Sequence, residues 1–158
     1  MGVGLRHVQQ RRALDYAEFP GRDAAVDVIR ILNRQRRIAV DSRALETFAQ
    51  SALSSCLKFK KLPEISVILV SDARISRIHK QFMNDPSPTD VITFQHGEIV
   101  ISVETAKRQA RQYGTTVVHE LRLYLVHGLL HLCGFDDKTS LGAAEMKRVQ
   151  ERIVRSLS

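Results

Sequence analysis

The stretch HGLLHLCGFDD, residues 127–137, sets two histidines four apart and closes on two aspartates. In a helix, residues at that spacing lie on one face with Cβ atoms about 5–6 Å apart, so His127 and His131 can aim both imidazoles at one ion. Leu129, Leu130 and Leu132 then face a core, Gly134 lets the chain turn out of the helix, and the turn brings Asp136 or Asp137 back toward the same point. Two imidazoles and a carboxylate are a common ligand set for catalytic zinc, with a position left for water. Water held this way becomes a usable nucleophile near neutral pH. A histidine pair alone is a weak signal; the glycine stop and the acidic pair at the right offset give it weight. The residue after the first histidine is Gly128, where a zinc peptidase carries its catalytic glutamate. His119, eight residues earlier, points about 80° away on the same helix and is left out of the site. His7 carries no signal.

These residues need a frame, and the apolar periods supply one. VDVIRIL (26–32) and EISVILV (64–70) read as strands, and TDVITF (89–94) and EIVIS (98–102) as two more, close enough for an antiparallel hairpin. Between them, Asp41 is placed to cap a helix with Leu45, Phe48, Ala52, Leu53, Cys56 and Leu57 on one side. Asp72 is placed to cap another, with Ile75, Ile78 and Phe82 in a stripe. A polar helix follows the hairpin and closes at Gly114. A long apolar helix restarts at Thr115 or Thr116 and runs through Cys133, and a last helix after Thr139 and Ser140 presents Val149, Ile153 and Leu157. This order predicts an α+β fold: a single domain over residues 25–158, with a mixed sheet of about four strands packed by helices and the metal site at the end of the long core helix. Residues 1–24 mix charge, Gly and Pro without a sustained period and are expected to be a poorly ordered extension.

Composition narrows the function classes. No apolar run approaches the ~20 residues of a membrane span, and the N-terminus lacks a signal-like apolar segment, so a cytoplasmic protein without a membrane partner is expected. Cys56 and Cys133 lie far apart inside periodic segments and read as reduced core thiols. The net charge of +7 suits a polyanionic partner. Lys58, Lys60, Lys61, Arg34, Arg36 and Arg37 (the last three in NRQRR, 33–37), with Arg74, Arg77 and Lys80, are candidates for tracking a phosphate backbone. With 6% aromatic residues and no tryptophan, base stacking should be sparse and sequence preference low.

Two families share the histidine spacing. Metzincin peptidases match the ladder His127, His131, Gly134, Asp137, but their glutamate position is Gly128 here. The second resemblance covers more of the chain. VHGLLHLCGFDD resembles the signature of the YbeY family, the bacterial endoribonucleases of rRNA maturation, whose usual form is His-Gly-x-x-His-x-x-Gly-[Tyr/Phe]-Asp-His. PTDVITF (88–94) is similar to that family's Pro-Thr-Asp-Val-Leu-Ser-Phe element, and GEIVIS (97–102) to its Gly-Asp-Ile-Val-Ile segment; NRQRR and AAEM (143–146) also sit where similar stretches occur. The resemblance runs from about Val26 to the C-terminus.

It implies one Zn2+ per chain on three ligands, hydrolysis of single-stranded RNA, 3′-end maturation of 16S rRNA, ribosome quality control, and rRNA and the small ribosomal subunit as partners, with no DNA. By position the ligands are His127, His131 and Asp137, the last where the family usually has histidine, and Asp136 falls in the second shell or the turn. An aspartate adds negative charge to the site, so bound water is acidified less and harder ions such as Mn2+ or Mg2+ gain ground. Met83 stands where the family commonly has an arginine thought to engage RNA phosphate; Arg77 and Lys80 are then expected to compensate in part. The two departures keep a rival in play: an rRNA-binding assembly factor with a structural metal and little catalysis.

Overall fold

The computed structural model describes residues 6–8, 29–56, 62 and 64–158. The rest of the N-terminal stretch, the first residues of the predicted strand 26–32, and Lys58, Lys60 and Lys61 lie outside the described residues. The chain runs β1 (Arg6–Val8), β2 (Ile29–Asn33), α1 (Ser42–Cys56), β3 (Ile65–Val70), α2 (Asp72–Met83), β4 (Val91–Phe94), β5 (Glu98–Ser102), α3 (Val103–Tyr113), α4 (Val117–Leu132) and α5 (Ser140–Ser156). The sheet order is β1-β4-β5-β3-β2. β2, β3 and β5 are parallel neighbours, while β4 pairs antiparallel with β5, as the short Gln95–Gly97 connection requires. The mixed α+β sheet is the one expected, with an edge strand added: Arg6–Val8 pairs in parallel with Ile92–Phe94.

Strand alternation sorts the core into two layers. Ile29, Ile31, Ile65, Val67, Leu69, Val91, Ile99 and Ile101 face α1, α4 and α5. Ile68, Val70, Ile92, Phe94 and Val100 face the other way, where Ile75 and Ile78 of α2 cover them and Met83 packs at the margin. Helices on both faces explain why β3, β4 and β5 are almost continuously buried, with β-branched residues throughout.

The caps refine the expectations. Asp41 Oδ1 accepts from Ala44 N–H at 3.0 Å, as expected. For α2 the cap is Ser71, whose Oγ accepts from Arg74 N–H; Asp72 stands one residue inside the helix. Its carboxylate accepts instead from the hydroxyls of Ser102 at 2.6 Å and Thr105 at 2.8 Å and pairs with Arg108. Although burial opposes it, those hydrogen bonds hold the Asp72 carboxyl below its ordinary value and tie α2 to the start of α3. Thr116, not Thr115, caps α4, and Gly114 closes α3 as expected.

α4 is the spine of the molecule, with Leu125, Val126, Leu129 and Leu130 wholly buried against the sheet, α1 and α5. Gly128 faces β5 so closely that an added Cβ would stand 2.8 Å from Ile99 Cγ2 and 2.9 Å from its Cδ1. The glycine therefore sets how near the histidine-bearing helix lies to the sheet. Alanine elsewhere in a helix gains about 1 kcal/mol over glycine, but overpacking a close-packed core costs roughly 1–3 kcal/mol. Gly128→Ala is expected to be destabilised by about 1 kcal/mol on balance; urea unfolding reads this directly, and a variant as stable as the parent would refute the close-approach account.

Candidate metal centre

The last turn of α4 ends in a Schellman motif. Gly134, at φ 95°, donates to His131 O, and Phe135 N–H donates back to Leu130 O, each at 3.0 Å. The reversal sends residues 135–137 back along the helix end. His131 Nδ1 meets Phe135 O at 3.1 Å, and because a carbonyl only accepts, that nitrogen carries the proton. His127 Nδ1 is 2.8 Å from Oε1 of Gln150 on α5, again an acceptor. Both rings thus have their Nδ1 protons engaged and their Nε2 atoms bare, and the two Nε2 atoms are only 2.9 Å apart. Two lone pairs at that distance repel unless a cation lies between them.

Asp137 completes the set. Its Oδ2 is 3.8 Å from His127 Nε2 and 3.9 Å from His131 Nε2. Three atoms so spaced share a centre about 2.1 Å from each, the length of a zinc–nitrogen or zinc–carboxylate bond. His127, His131 and Asp137 are the cluster of metal-binding type among the described residues. Asp136 turns elsewhere: its Oδ1 accepts from Lys138 N–H at 2.8 Å and shapes the turn.

Electrostatics agree with ligation. Burial, and then the neighbouring His131, pushes the His127 imidazole down to about 3, against the pull of Gln150. Burial likewise lowers His131, while Asp137, the Phe135 carbonyl and Asp136 oppose it. Both rings are therefore neutral at pH 7, the form that binds metal. The thiols of Cys56 and Cys133 lie beside each other, and their mutual hydrogen bond, then burial, push the Cys56 thiol up, as suits inert core sulfur.

The cluster opens into a cavity of about 570 Å³ whose walls include Asp90, Glu120, Tyr124, His127, Asp137 and Lys147. Asp90 and Glu120 are buried carboxylates. Oδ1 of Asp90 accepts from Val91 N–H at 2.8 Å and the Thr89 hydroxyl at 3.2 Å, and Oδ2 is buried without a hydrogen-bond partner among the described residues. Glu120 Oε1 accepts from the Thr115 hydroxyl at 2.6 Å.

The basic residues separate into groups. Parallel pairing puts the C-terminal ends of β2, β3 and β5 at one edge of the sheet, and β4 begins there, so Arg34, Arg36 and Arg37 share the edge that carries Asp90. They lie three strands from it, about 14 Å, and Arg37 faces Glu104 at 3.9 Å. Arg74, Arg77 and Lys80 are on α2, across the sheet from α4. Met83 is half-buried against the α2 core. His119, left out on helical angle, lines the wider cavity and is not part of the metal cluster. Sequence reasoning missed Gln150 and Lys147, because nothing in the α5 pattern says which polar residue meets the α4 histidines.

Among protein families, the model for Endoribonuclease YbeY matches residues 30–158. The chain belongs to the YbeY family. An endoribonuclease YbeY of Nautilia profundicola is 36% identical over 129 residues, covering 77% of this chain and 91% of the relative. That of Moorella thermoacetica is 38% identical over 110 residues, 58% of this chain and 70% of its own. A chloroplastic endoribonuclease YBEY of Arabidopsis thaliana is 39% identical over 107 residues, 60% of this chain and 18% of its own. The fold is similar to the solution structure of a Thermotoga maritima protein, with a TM-score of 0.63 and 31% identity over 82% of this chain and 89% of that one. The YbeY match takes in both histidines, the turn and Asp90, and its start coincides with β2.

Two outcomes follow from this geometry. Gln150→Leu removes the acceptor that fixes the His127 ring, and metal affinity should fall about 10–100-fold, read by competition with a chelating dye; unchanged affinity would remove Gln150 from that role. Burial pushes Asp90 up to about 6 from an ordinary 3.8. The folded state therefore holds this proton more tightly, a contribution complete below pH 3.8 and lost as pH rises through 6. Asp90→Asn, always neutral, should gain about 2 kcal/mol on the parent between pH 4 and pH 7.5, and urea unfolding at the two pH values tests the sign.

Proposed function

We propose that this protein is a metal-dependent endoribonuclease that cuts single-stranded RNA, acting on rRNA of the small ribosomal subunit in 16S 3′-end maturation and ribosome quality control, in the cytoplasm. The observation that carries the reading is the convergence of two bare Nε2 atoms and the Asp137 carboxylate, in a chain of the YbeY endoribonuclease family. That no helix among the described residues is long and apolar enough to cross a membrane is compatible with it.

In this reading His127, His131 and Asp137 hold one ion, Zn2+ by its two nitrogen donors, with Mn2+ or Mg2+ admitted by the carboxylate. When bound, such an ion supplies a Lewis acid for a phosphodiester oxygen and a water acidic enough to attack near neutral pH. The chain's own residues prepare the rest. Gln150 and the Phe135 carbonyl keep the ring protons on Nδ1, so Nε2 stays a donor of electrons. Lys147, exposed on the cavity wall, is placed to take a phosphate beside the cluster. Arg34, Arg36 and Arg37 extend a basic track along the same sheet edge, while Arg74, Arg77 and Lys80 contribute to the field of a chain with net charge +7 rather than to contacts at the cut.

A binding-only reading, as an rRNA assembly factor, is favoured by one observation: Met83 lies half-buried against the α2 core and offers no cation. Single-turnover cleavage of a single-stranded rRNA fragment separates the two. The metal-loaded parent should cut and His127→Ala should lose at least ~100-fold, in line with removal of a metal-activated nucleophile; no cutting by the parent, or equal cutting by the variant, would overturn the nuclease reading. Elemental analysis should find metal lost in Asp137→Ala and retained in Asp136→Ala.

A further inference from the structure

The last helix meets the metal centre twice. Gln150, past the middle of α5, reaches the His127 ring, and the first turn of the same helix lies against the loop that carries Asp137. A residue without a side chain makes that second contact. A Cβ built on Gly142 would fall well inside 3 Å of the Asp136 carbonyl oxygen and 3.0 Å from Thr139 Oγ1. Side chains essentially never come that close to a backbone oxygen, so any other residue here must push helix and loop apart. The φ of Gly142 is not in the left-handed region, so the demand is for space alone.

Packing decides which partner yields. α5 is anchored by Met146, Val149, Ile153 and Val154, all buried in the main core. The loop is the softer side: Asp136, Lys138, Thr139 and Ser140 are exposed. Local hydrogen bonds shape it, from Lys138 N–H to Asp136 Oδ1 at 2.8 Å and from Gly142 N–H to Thr139 Oγ1 at 3.0 Å. The Asp136 carbonyl shares one planar peptide with the N and Cα of Asp137, so displacing that oxygen swings Asp137 with it. Asp137 Oδ2 now stands 3.8 Å from His127 Nε2 and 3.9 Å from His131 Nε2. Metal–ligand distances tolerate errors of only about 0.2 Å, and relieving a Cβ contact inside 3 Å takes more than that.

We propose that Gly142 is a positioning residue of the metal centre: by carrying no side chain it seats the Asp136–Asp137 peptide on α5, and so sets Asp137 at the reach from which its carboxylate can share an ion with His127 and His131. The proposal rests on the metal-centre reading above and deepens it. α5 then holds two of the three groups in register, the His127 ring through Gln150 and Asp137 through Gly142. Position 142 governs metal affinity without touching the ion.

Zn2+ binding by the full chain, read by competition with a chelating dye, tests this. Gly142→Ala should bind at least ~10-fold more weakly than the parent, the scale of loss when a ligand's support is removed. The urea midpoint of the metal-free variant should be unchanged or higher, since alanine favours a helix over glycine and the exposed loop gives way. Parent-like affinity overturns the proposal, and so does a variant that fails to fold or unfolds at clearly lower urea, because the core and not the loop has then yielded. Leu141→Ala, at a neighbour that is 86% exposed, should stay within about 2-fold of the parent; an equal loss there would make the effect one of the whole helix turn and overturn the assignment. In an Asp137→Ala background, where two histidines keep a weaker affinity, Gly142→Ala should cost less than about 2-fold more, as expected of two changes acting through one side chain. A full further loss overturns the route through Asp137. A parent that binds no Zn2+ overturns the metal-centre reading instead, and amide NMR of the metal-free protein then decides the seating: Gly142→Ala should move Asp137 and Lys138 and leave Leu129 and Leu130 in place, whereas an unmoved Asp137 overturns it.

Discussion

Two imidazole lone pairs facing each other across 2.9 Å are the constraint on which the rest of this structure depends. Left to themselves, two such rings would rotate apart or share a proton. Here each is pinned at its other nitrogen, by a backbone carbonyl from the turn after α4 and by a side-chain oxygen from α5. Burial holds both neutral, so electrostatic relief by protonation is withheld until acid pH. The fold bears this arrangement because α4 cannot move: it is clamped between α1, α5 and the sheet, and Gly128 draws it onto Ile99. The Schellman turn follows from the helix ending at Gly134, and it supplies both the Phe135 carbonyl and Asp137. The last histidine of the candidate cluster, the acceptor that orients it and the aspartate that completes the cluster therefore come from one local device.

Charge is divided in a way that suits a polyanionic substrate. The chain as a whole is strongly basic, yet the cavity gathers Asp90, Glu120 and Asp137. The surface field raises encounter with a phosphate backbone, while these acidic side chains are gathered on the wall of the cavity. Burying Asp90 costs stability at this place, and His79, Glu98 and Glu120 are further polar groups buried within an otherwise apolar core.

Much of this was legible in the sequence, for physical reasons that differ by element. The i, i+4 histidine pair, the glycine stop and the acidic pair are local signals, and local geometry sufficed to bring His127, His131 and Asp137 together. The strands of the central sheet declared themselves by β-branched runs, and the hairpin by the shortness of its connection. Arg6–Val8 did not, since a three-residue edge strand with polar neighbours has no period to detect. Asp72 was misplaced as a cap because Ser71 beside it caps equally well by type, and its real partners, Ser102, Thr105 and Arg108, lie at least thirty residues on. Gln150 is 23 residues from the histidine it orients, and the grouping of Asp90 with Glu120 depends on which strand end meets which helix. The basic residues divided similarly: sequence places Arg77 and Lys80 on one helix face but cannot say that the sheet stands between that helix and the metal cluster.

The glycine after the first histidine can now be given a structural cause. Adjacent residues on a helix point about 100° apart, so if His127 faces the cavity, position 128 must face something else, and here it faces the sheet at Ile99. A zinc peptidase that places its catalytic glutamate at this position needs open space beside the ion on that flank of the helix. In this fold a side chain there would meet a wholly buried isoleucine at under 3 Å, and a carboxylate would have no partner. The arrangement excludes the peptidase's base by packing rather than by chance of sequence. Any group that moves a proton beside these histidines must come from another position, and the ionisable side chains on the cavity wall include Asp90, His119, Glu120, Lys147 and Glu151.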